Sequence, residues 1–427
     1  MKTIKVDYLA RVEGEGALKI RFKGDQVRDV ELRIFEPPRF FEAFLRGRSY
    51  LEAPDITARI CGICPIAYQM SSCAAMEDAL GVAVDGRLHD LRTLIYCGEW
   101  IESHALHMFL LHAPDFLGYP DAMTMAKEHR DMVMRGLRIK KAGNALIGAI
   151  GGREVHPINV RVGGFYRVPE QAELQALLAQ LRAARDDALL AVDWMAAFEF
   201  PEFSRDYEMV AIRGEREYPF MGARIVSNKG LDIDVHDYDA TFVEEQVAHS
   251  NALHSFIRGR GAYVCGPLAR FNLNFDLLSD TAREAARRAR LETPCMNPFK
   301  SILARAIEVI HALGEAIRMI QDYQPPRAAY LETRPRAAAG YGCTEAPRGT
   351  LYHRYRLDGG GLITDAKIVP PTSQNQKTME EDLAALAPRL IKAEHREATA
   401  MAEHAIRNYD PCISCATHFL DLTLERE

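Results

Sequence analysis

Apolar and polar side chains alternate through residues 17–35, ALKIRFKGDQVRDVELRIF, on either side of a Gly-Asp pair. That period of two predicts a β-hairpin near the start of the chain. Past the first cysteine pair the period lengthens. In residues 90–112, DLRTLIYCGEWIESHALHMFLLH, apolar positions Leu91, Leu94, Ile95, Ile101, Ala105, Met108 and Leu111 recur at helical spacing, and Pro114 is expected to stop the helix. Residues 170–198, 239–258, 296–323 and 376–408 repeat the helical pattern. Between the last two, LYHRYRLDGGGLITDAKIVPP (351–371) predicts a second hairpin that turns on glycines. Long helices separated by short β pieces predict a mainly α protein of the α+β class, a long-helix bundle with small β-hairpin attachments toward both ends. No Ser- or Pro-rich linker and no internal repeat divides residues 1–427, so one domain is expected.

Composition narrows the function. The 427 residues are 48% hydrophobic and 26% charged, as in ordinary globular proteins, and a net charge of −6 gives no reason to expect nucleic acid or an anionic membrane as partner. No apolar run approaches the roughly 20 residues of a membrane span, and the first residues lack a signal-peptide core, so a cytoplasmic location is expected. Nine cysteines without a secretory signal argue for reduced thiols with metal or catalytic roles. Five stand singly. The other four form two CxxC pairs, Cys61 and Cys64 in TARICGICPIAYQ and Cys412 and Cys415 in YDPCISCATH. Each pair holds two sulfurs close enough for one ion, and together they offer four thiolates to one site. Soft thiolates select zinc, copper(I), iron or nickel, and spacing alone does not choose among them. A structural zinc site is the ordinary reading of four cysteines, but such sites close short loops, and here roughly 350 residues separate the pairs.

RICGICP near the start together with DPCxxCxxH near the end resembles the large, catalytic subunit of nickel-iron hydrogenases, over a span from Arg11 to His418. The resemblance implies a nickel-iron centre whose iron carries carbon monoxide and cyanide, with Cys61 and Cys412 as terminal nickel ligands and Cys64 and Cys415 bridging. It places Arg348 of TEAPRGTLYH, beside Pro347, over the metals, where a permanent cation can bind cyanide and stabilise charge. Splitting hydrogen heterolytically also needs a base. Glu13 of RVEGEG, which resembles the family's RxEGH with Glu15 in place of histidine, is the implied proton relay from Cys412. Glu42 in FFEAFLRGR, the carbonyl of Leu351 and His418 are implied to hold magnesium, an ion that prefers oxygen-rich coordination.

Three further positions depart from the family. Tyr68 and Ser103 stand where many members have histidine and aspartate, and Pro371 stands where a hydroxyl residue often faces the cyanides, leaving Thr372 as the nearest donor. His104 and His107 read as core-lining histidines rather than an HxxH metal motif. The CGICP and ESHALH variants resemble the cytoplasmic, bidirectional branch, NAD(P)-linked or sulfhydrogenase-like. Electrons released from hydrogen must leave, yet the single cysteines form no iron-sulfur run, so an iron-sulfur small subunit is the implied partner, with flavin- and NAD(P)-binding diaphorase subunits beyond it. Residues 419–427 are implied to be an extension removed by a maturation protease. Two other readings are a metal-free relative, like the quinone-site subunit of respiratory complex I, and a zinc-stapled structural protein. Retention of all four cysteines with Glu13, Arg348 and His418 speaks against the first, and the long separation of the pairs speaks against the second.

Overall fold

The computed structural model describes residues 3–24, 26–37 and 40–418; the expected processing segment 419–427 lies outside the described residues. Four helices, Gly86–Leu106, Arg130–Gly151, Leu178–Ala196 and Ser301–Asp322, pack into a closed bundle, each against two of the others. Its interior is filled by apolar side chains at helical spacing, among them Leu94, Ile101, Ile139, Leu146, Leu181, Val192, Ile307 and Ile310, all buried. The expected stop at Pro114 is corrected. The α-helix ends at Leu106, a π-type turn follows over His107–His112, and Pro114 lies in the first turn of a further short helix, Ala113–Leu117. A proline there forfeits no helical hydrogen bond, so it starts a turn as readily as it stops one. The 376–408 segment likewise resolves into two helices, Pro371–Leu390 and His395–Arg407.

Both expected hairpins are present, and each carries a third strand. Gly16–Lys23 pairs antiparallel with Gln26–Ile34 and with Thr3–Val6, and Gly349–Leu357 pairs with Ile363–Val369 and with Ala338–Ala346. The second sheet lies on the Pro65–Leu80 helix. Contact there is backbone to backbone: a Cβ on Gly340 would sit 2.0 Å from Ala75 O and 2.5 Å from Ala79 N. Neither atom can swing aside. Gly340→Ala is therefore expected to lower stability by at least about 1–3 kcal/mol, read as a reduced denaturant midpoint, whereas Gly360→Ala in the exposed turn leaves it within experimental error.

Residues 239–258 are not a helix. A four-residue turn of helix, Tyr238–Thr241, leads into an antiparallel pair, Phe242–Glu245 with His254–Ile257. The connecting loop is held by partners distant in sequence. Asn251 N donates to Ile34 O at 2.8 Å, Asn251 Nδ2 donates to Glu36 O at 3.0 Å, and Ile34 N donates to Ser250 Oγ at 3.4 Å. Among the described residues no helix is long and apolar enough to cross a membrane.

Candidate metal centre

Cys64 is the residue before the Pro65–Leu80 helix, and Pro65 occupies a first-turn position where its missing N–H costs nothing. The next two amides, of Ile66 and Ala67, donate to the Glu99 carboxylate at 2.6 and 3.0 Å. Glu99 is fully buried on the Gly86–Leu106 helix, so the start of the cysteine-bearing helix is pinned to the bundle. Burial pushes the Glu99 carboxyl well up, against the pull of these two amides. Within the CxxC turn, Ile63 N and Cys64 N donate to Cys61 Sγ at 3.3 and 3.4 Å.

The second pair follows the His395–Arg407 helix after a left-handed residue, Asp410 (φ 50°). Cys412 forms a parallel bridge with Glu13, and Ile413 N donates to Glu13 O at 2.8 Å. This approach needs a glycine. Gly14 has φ 89°, and a Cβ there would lie 2.8 Å from Ile413 Cβ and 2.9 Å from Ser414 N. On the other side Cys412 N donates to Thr372 Oγ1 at 3.0 Å, Thr417 bridges to Ala252, and His418 N donates to Asn251 O at 2.9 Å.

The two pairs meet. The sulfurs of Cys61, Cys64, Cys412 and Cys415 all lie within 4.8 Å of one another, all four residues are buried, and Cys61 Sγ is 3.6 Å from Cys412 Sγ. The Cys412 thiol donates to Glu13 Oε2 at 3.0 Å, and the same oxygen accepts from Ser414 N at 3.0 Å. Hydrogen bonds from Cys412 and then from Cys415 and Cys64 hold the Cys61 thiol well below its ordinary range, while burial pushes Cys412 well up. Four buried sulfurs cannot all ionise without cationic charge among them. The donor set therefore suits a soft or borderline transition metal, and Glu13 is positioned to take the proton that Cys412 gives up.

Arg348 supplies one such charge. It is 2% exposed, its Nε donates to Asp410 O at 2.8 Å, its Nη2 donates to Asp410 Oδ1 at 3.2 Å, and its buried Nη1 has no hydrogen-bond partner among the described residues. Burial alone would depress this guanidinium, but Asp410 and then Cys412, Cys64 and Cys61 outweigh it and hold it charged. The turn itself is held by Arg270, which donates to Ala346 O at 2.8 Å and Pro347 O at 3.0 Å and forks onto Glu308 with two bonds of 2.8 Å. Glu99, Asp410 and Arg270 were not singled out from the sequence. Asp410 adjoins the second pair, but Glu99 and Arg270 carry no local signal.

Glu42 and His418 come together, Oε2 to Nε2 at 3.2 Å, beside a cavity of about 460 Å³ that Ile368, Ser414 and Cys415 also line. The carbonyl of Leu351, the third expected ligand, accepts from Ser71 Oγ at 3.3 Å in the central strand of its sheet, and the strand residue bonded to Glu42 is Ile368, whose N donates to Glu42 Oε1 at 2.7 Å. Tyr68 and Ser103, two of the departures, both bury hydroxyls with no hydrogen-bond partner among the described residues. His104 and His107 do line the core: His104 Nε2 is 2.9 Å from Glu308 Oε2, and His107 Nε2 donates to Arg407 O at 2.8 Å. Burial lowers His104 to about 4, so it is neutral.

Comparison with known proteins agrees with this geometry. A sequence profile described as nickel-dependent hydrogenase matches residues 39–134 and 262–418. The chain is 36% identical to the sulfhydrogenase 2 subunit alpha of Pyrococcus furiosus, covering 98% of this chain and 100% of that protein. It is 29% identical to the NAD-reducing hydrogenase HoxS subunit beta of Cupriavidus necator, covering 98% and 95%. Among solved structures, an NAD+-reducing [NiFe]-hydrogenase in the H2-reduced state superposes with a TM-score of 0.89 at 29% identity, over 98% of this chain and 100% of that one.

Proposed function

The chain belongs to the nickel-dependent hydrogenase large-subunit family, and from that premise we propose that it cleaves hydrogen reversibly into protons and electrons at a nickel-iron centre held by Cys61, Cys64, Cys412 and Cys415. The observation that carries this reading is the convergence of four buried thiols from two distant CxxC pairs, with a cation and a carboxylate alongside. When bound, the centre supplies the Lewis acidity and electron capacity for heterolytic cleavage. By motif position Cys61 and Cys412 would be terminal ligands, and Cys64 and Cys415 would bridge. Arg348, with one buried N–H arm unpartnered, and Thr372, whose oxygen accepts from Cys412 N and whose own proton is free to point elsewhere, would hold the cyanides of the iron beside Pro347. Glu13 takes the proton from Cys412 Sγ across a direct 3.0 Å contact and passes it outward. Glu42 and His418 would hold magnesium, with a strand carbonyl near Ile368 better placed than that of Leu351.

Electrons then need a way out. Among the described residues the other cysteines, Cys73, Cys97, Cys265, Cys295 and Cys343, are each buried and form no cluster. An iron-sulfur small subunit would receive the electrons, and likeness to an NAD-reducing and a sulfhydrogenase subunit supports flavin- and NAD(P)-binding partners in the cytoplasm. Elemental analysis of the purified complex is expected to find nickel together with iron, and infrared bands of metal-bound carbon monoxide and cyanide. Zinc alone, or no metal, would overturn the reading.

A further inference from the structure

The loop joining the Phe242–Glu245 and His254–Ile257 strands clamps the second thiol segment, through Asn251 O to His418 N and the Ala252–Thr417 bridge. At the base of that loop lies a second group of ligand atoms. His249 Nε2 is 2.7 Å from Glu380 Oε1, which also accepts from Leu32 N at 3.1 Å. His254 is 1% exposed, its Nδ1 stands 4.0 Å from Glu380 Oε2, beyond bonding reach, and its buried Nε2 has no hydrogen-bond partner among the described residues. Leaving such a group unsatisfied costs about 1–3 kcal/mol.

A metal ion would give His254 Nδ1 and Glu380 Oε2 a shared partner across that 4.0 Å gap. One ring nitrogen from each histidine and one Glu380 oxygen lie within 4.8 Å of one another. Around zinc, with bonds of about 2.0–2.1 Å, neighbouring ligands stand about 3.3 Å apart, so small side-chain rotations close the set. Protonation is already that of ligands. Burial lowers His254 to about 4 and leaves it neutral; burial would raise Glu380, but the bond from His249 holds it below its usual range. The half-buried edge of His249 lines a cavity of about 370 Å³ with Lys5, Asp7, Arg33 and Asn251, so solvent reaches this ligand. Lys377 Nζ, 3.5 Å from Glu380 Oε2, is the competing cation, on a side chain exposed enough to withdraw.

We propose that His249, His254 and Glu380 bind a divalent transition metal of the zinc type, separate from the four-cysteine centre, and that the ion locks the loop that clamps residues 411–418. The test uses the purified, nickel-iron-loaded complex after chelator dialysis, titrated with cobalt(II) and then zinc. Because the thiols are already occupied there, added cobalt should give weak visible absorption without the intense bands of thiolate ligation, at one equivalent per chain. Zinc should displace it and slow amide hydrogen exchange in 411–418. His249→Ala, at a position open to solvent, should weaken uptake by at least about tenfold, and Lys377→Met should tighten it. No extra equivalent in the wild type, or equal uptake by His249→Ala, would overturn the site. Uptake that leaves exchange in 411–418 unchanged would overturn the clamp.

Discussion

Replacing Glu13 by glutamine is expected to cut hydrogen turnover by about 10²–10⁴-fold, the range lost with a positioned proton-transfer group, while nickel and iron content stay at wild-type levels. The substitution separates two things the carboxylate does. Glu13 Oε2 accepts from Ser414 N and from the Cys412 thiol, both at 3.0 Å, and its backbone carbonyl accepts from Ile413 N at 2.8 Å. A glutamine oxygen can keep the Ser414 bond, and the backbone bridge to Cys412 does not involve the side chain. What the amide cannot do is take a proton from sulfur and release it again. A purely structural role therefore predicts near-normal rates in Glu13→Gln, and turnover above about one tenth of wild type would defeat the relay. Elemental analysis of the same preparation guards against the trivial outcome, in which loss of activity follows loss of the metals.

The residues that carry chemistry were easier to read than those that aim them. A CxxC pair is local, so Cys61, Cys64, Cys412 and Cys415 stand out in the sequence, whereas Arg348 and Glu13 lie far from both pairs and entered only through the resemblance of their motifs. The carboxylate of Glu99, which binds two amides at the start of the first cysteine-bearing helix, lies some thirty positions further along, in a stretch that reads only as helix. Its role exists only once two helices pack. The Arg130–Gly151 helix escaped notice for the opposite reason. Its glycines read as poor helix formers, each costing about 1 kcal/mol relative to alanine, yet a Cβ on Gly143 would stand 2.6 Å from Gly98 O and 2.7 Å from Glu102 N. The glycines let two bundle helices touch, and tertiary packing outweighs the propensity. In 239–258 the balance tipped the other way, because Ser250 and Asn251 bond to the N-terminal sheet and pull the segment out of helix. Spacing also does not say which strand's edge lies beside Glu42: Ile368 N, on the strand next to that of Leu351, bonds its carboxylate.

Arg348→Lys is expected to lower turnover by about 10²–10³-fold, as when one donor is removed from a site of developing charge, with the fold kept. The guanidinium has two tasks at once. Nε and Nη2 hold Asp410, 2% exposed, at 2.8 and 3.2 Å, and Nη1 is left over, buried beside the cysteine cluster. Lysine keeps the charge that Asp410 and the thiols require but has a single nitrogen, so it can serve Asp410 or the metal side, not both. Methionine would be a poorer probe. It leaves Asp410 as an unpaired buried charge, a loss of about 3–5 kcal/mol that would confound activity with folding. The informative comparison is kcat at saturating hydrogen against the thermal midpoint of Arg348→Lys. A fall in kcat with little change in midpoint assigns the free arm to the reaction. Wild-type kcat would mean that Arg348 serves only to anchor Asp410, and through it the left-handed turn that delivers Cys412 to the site.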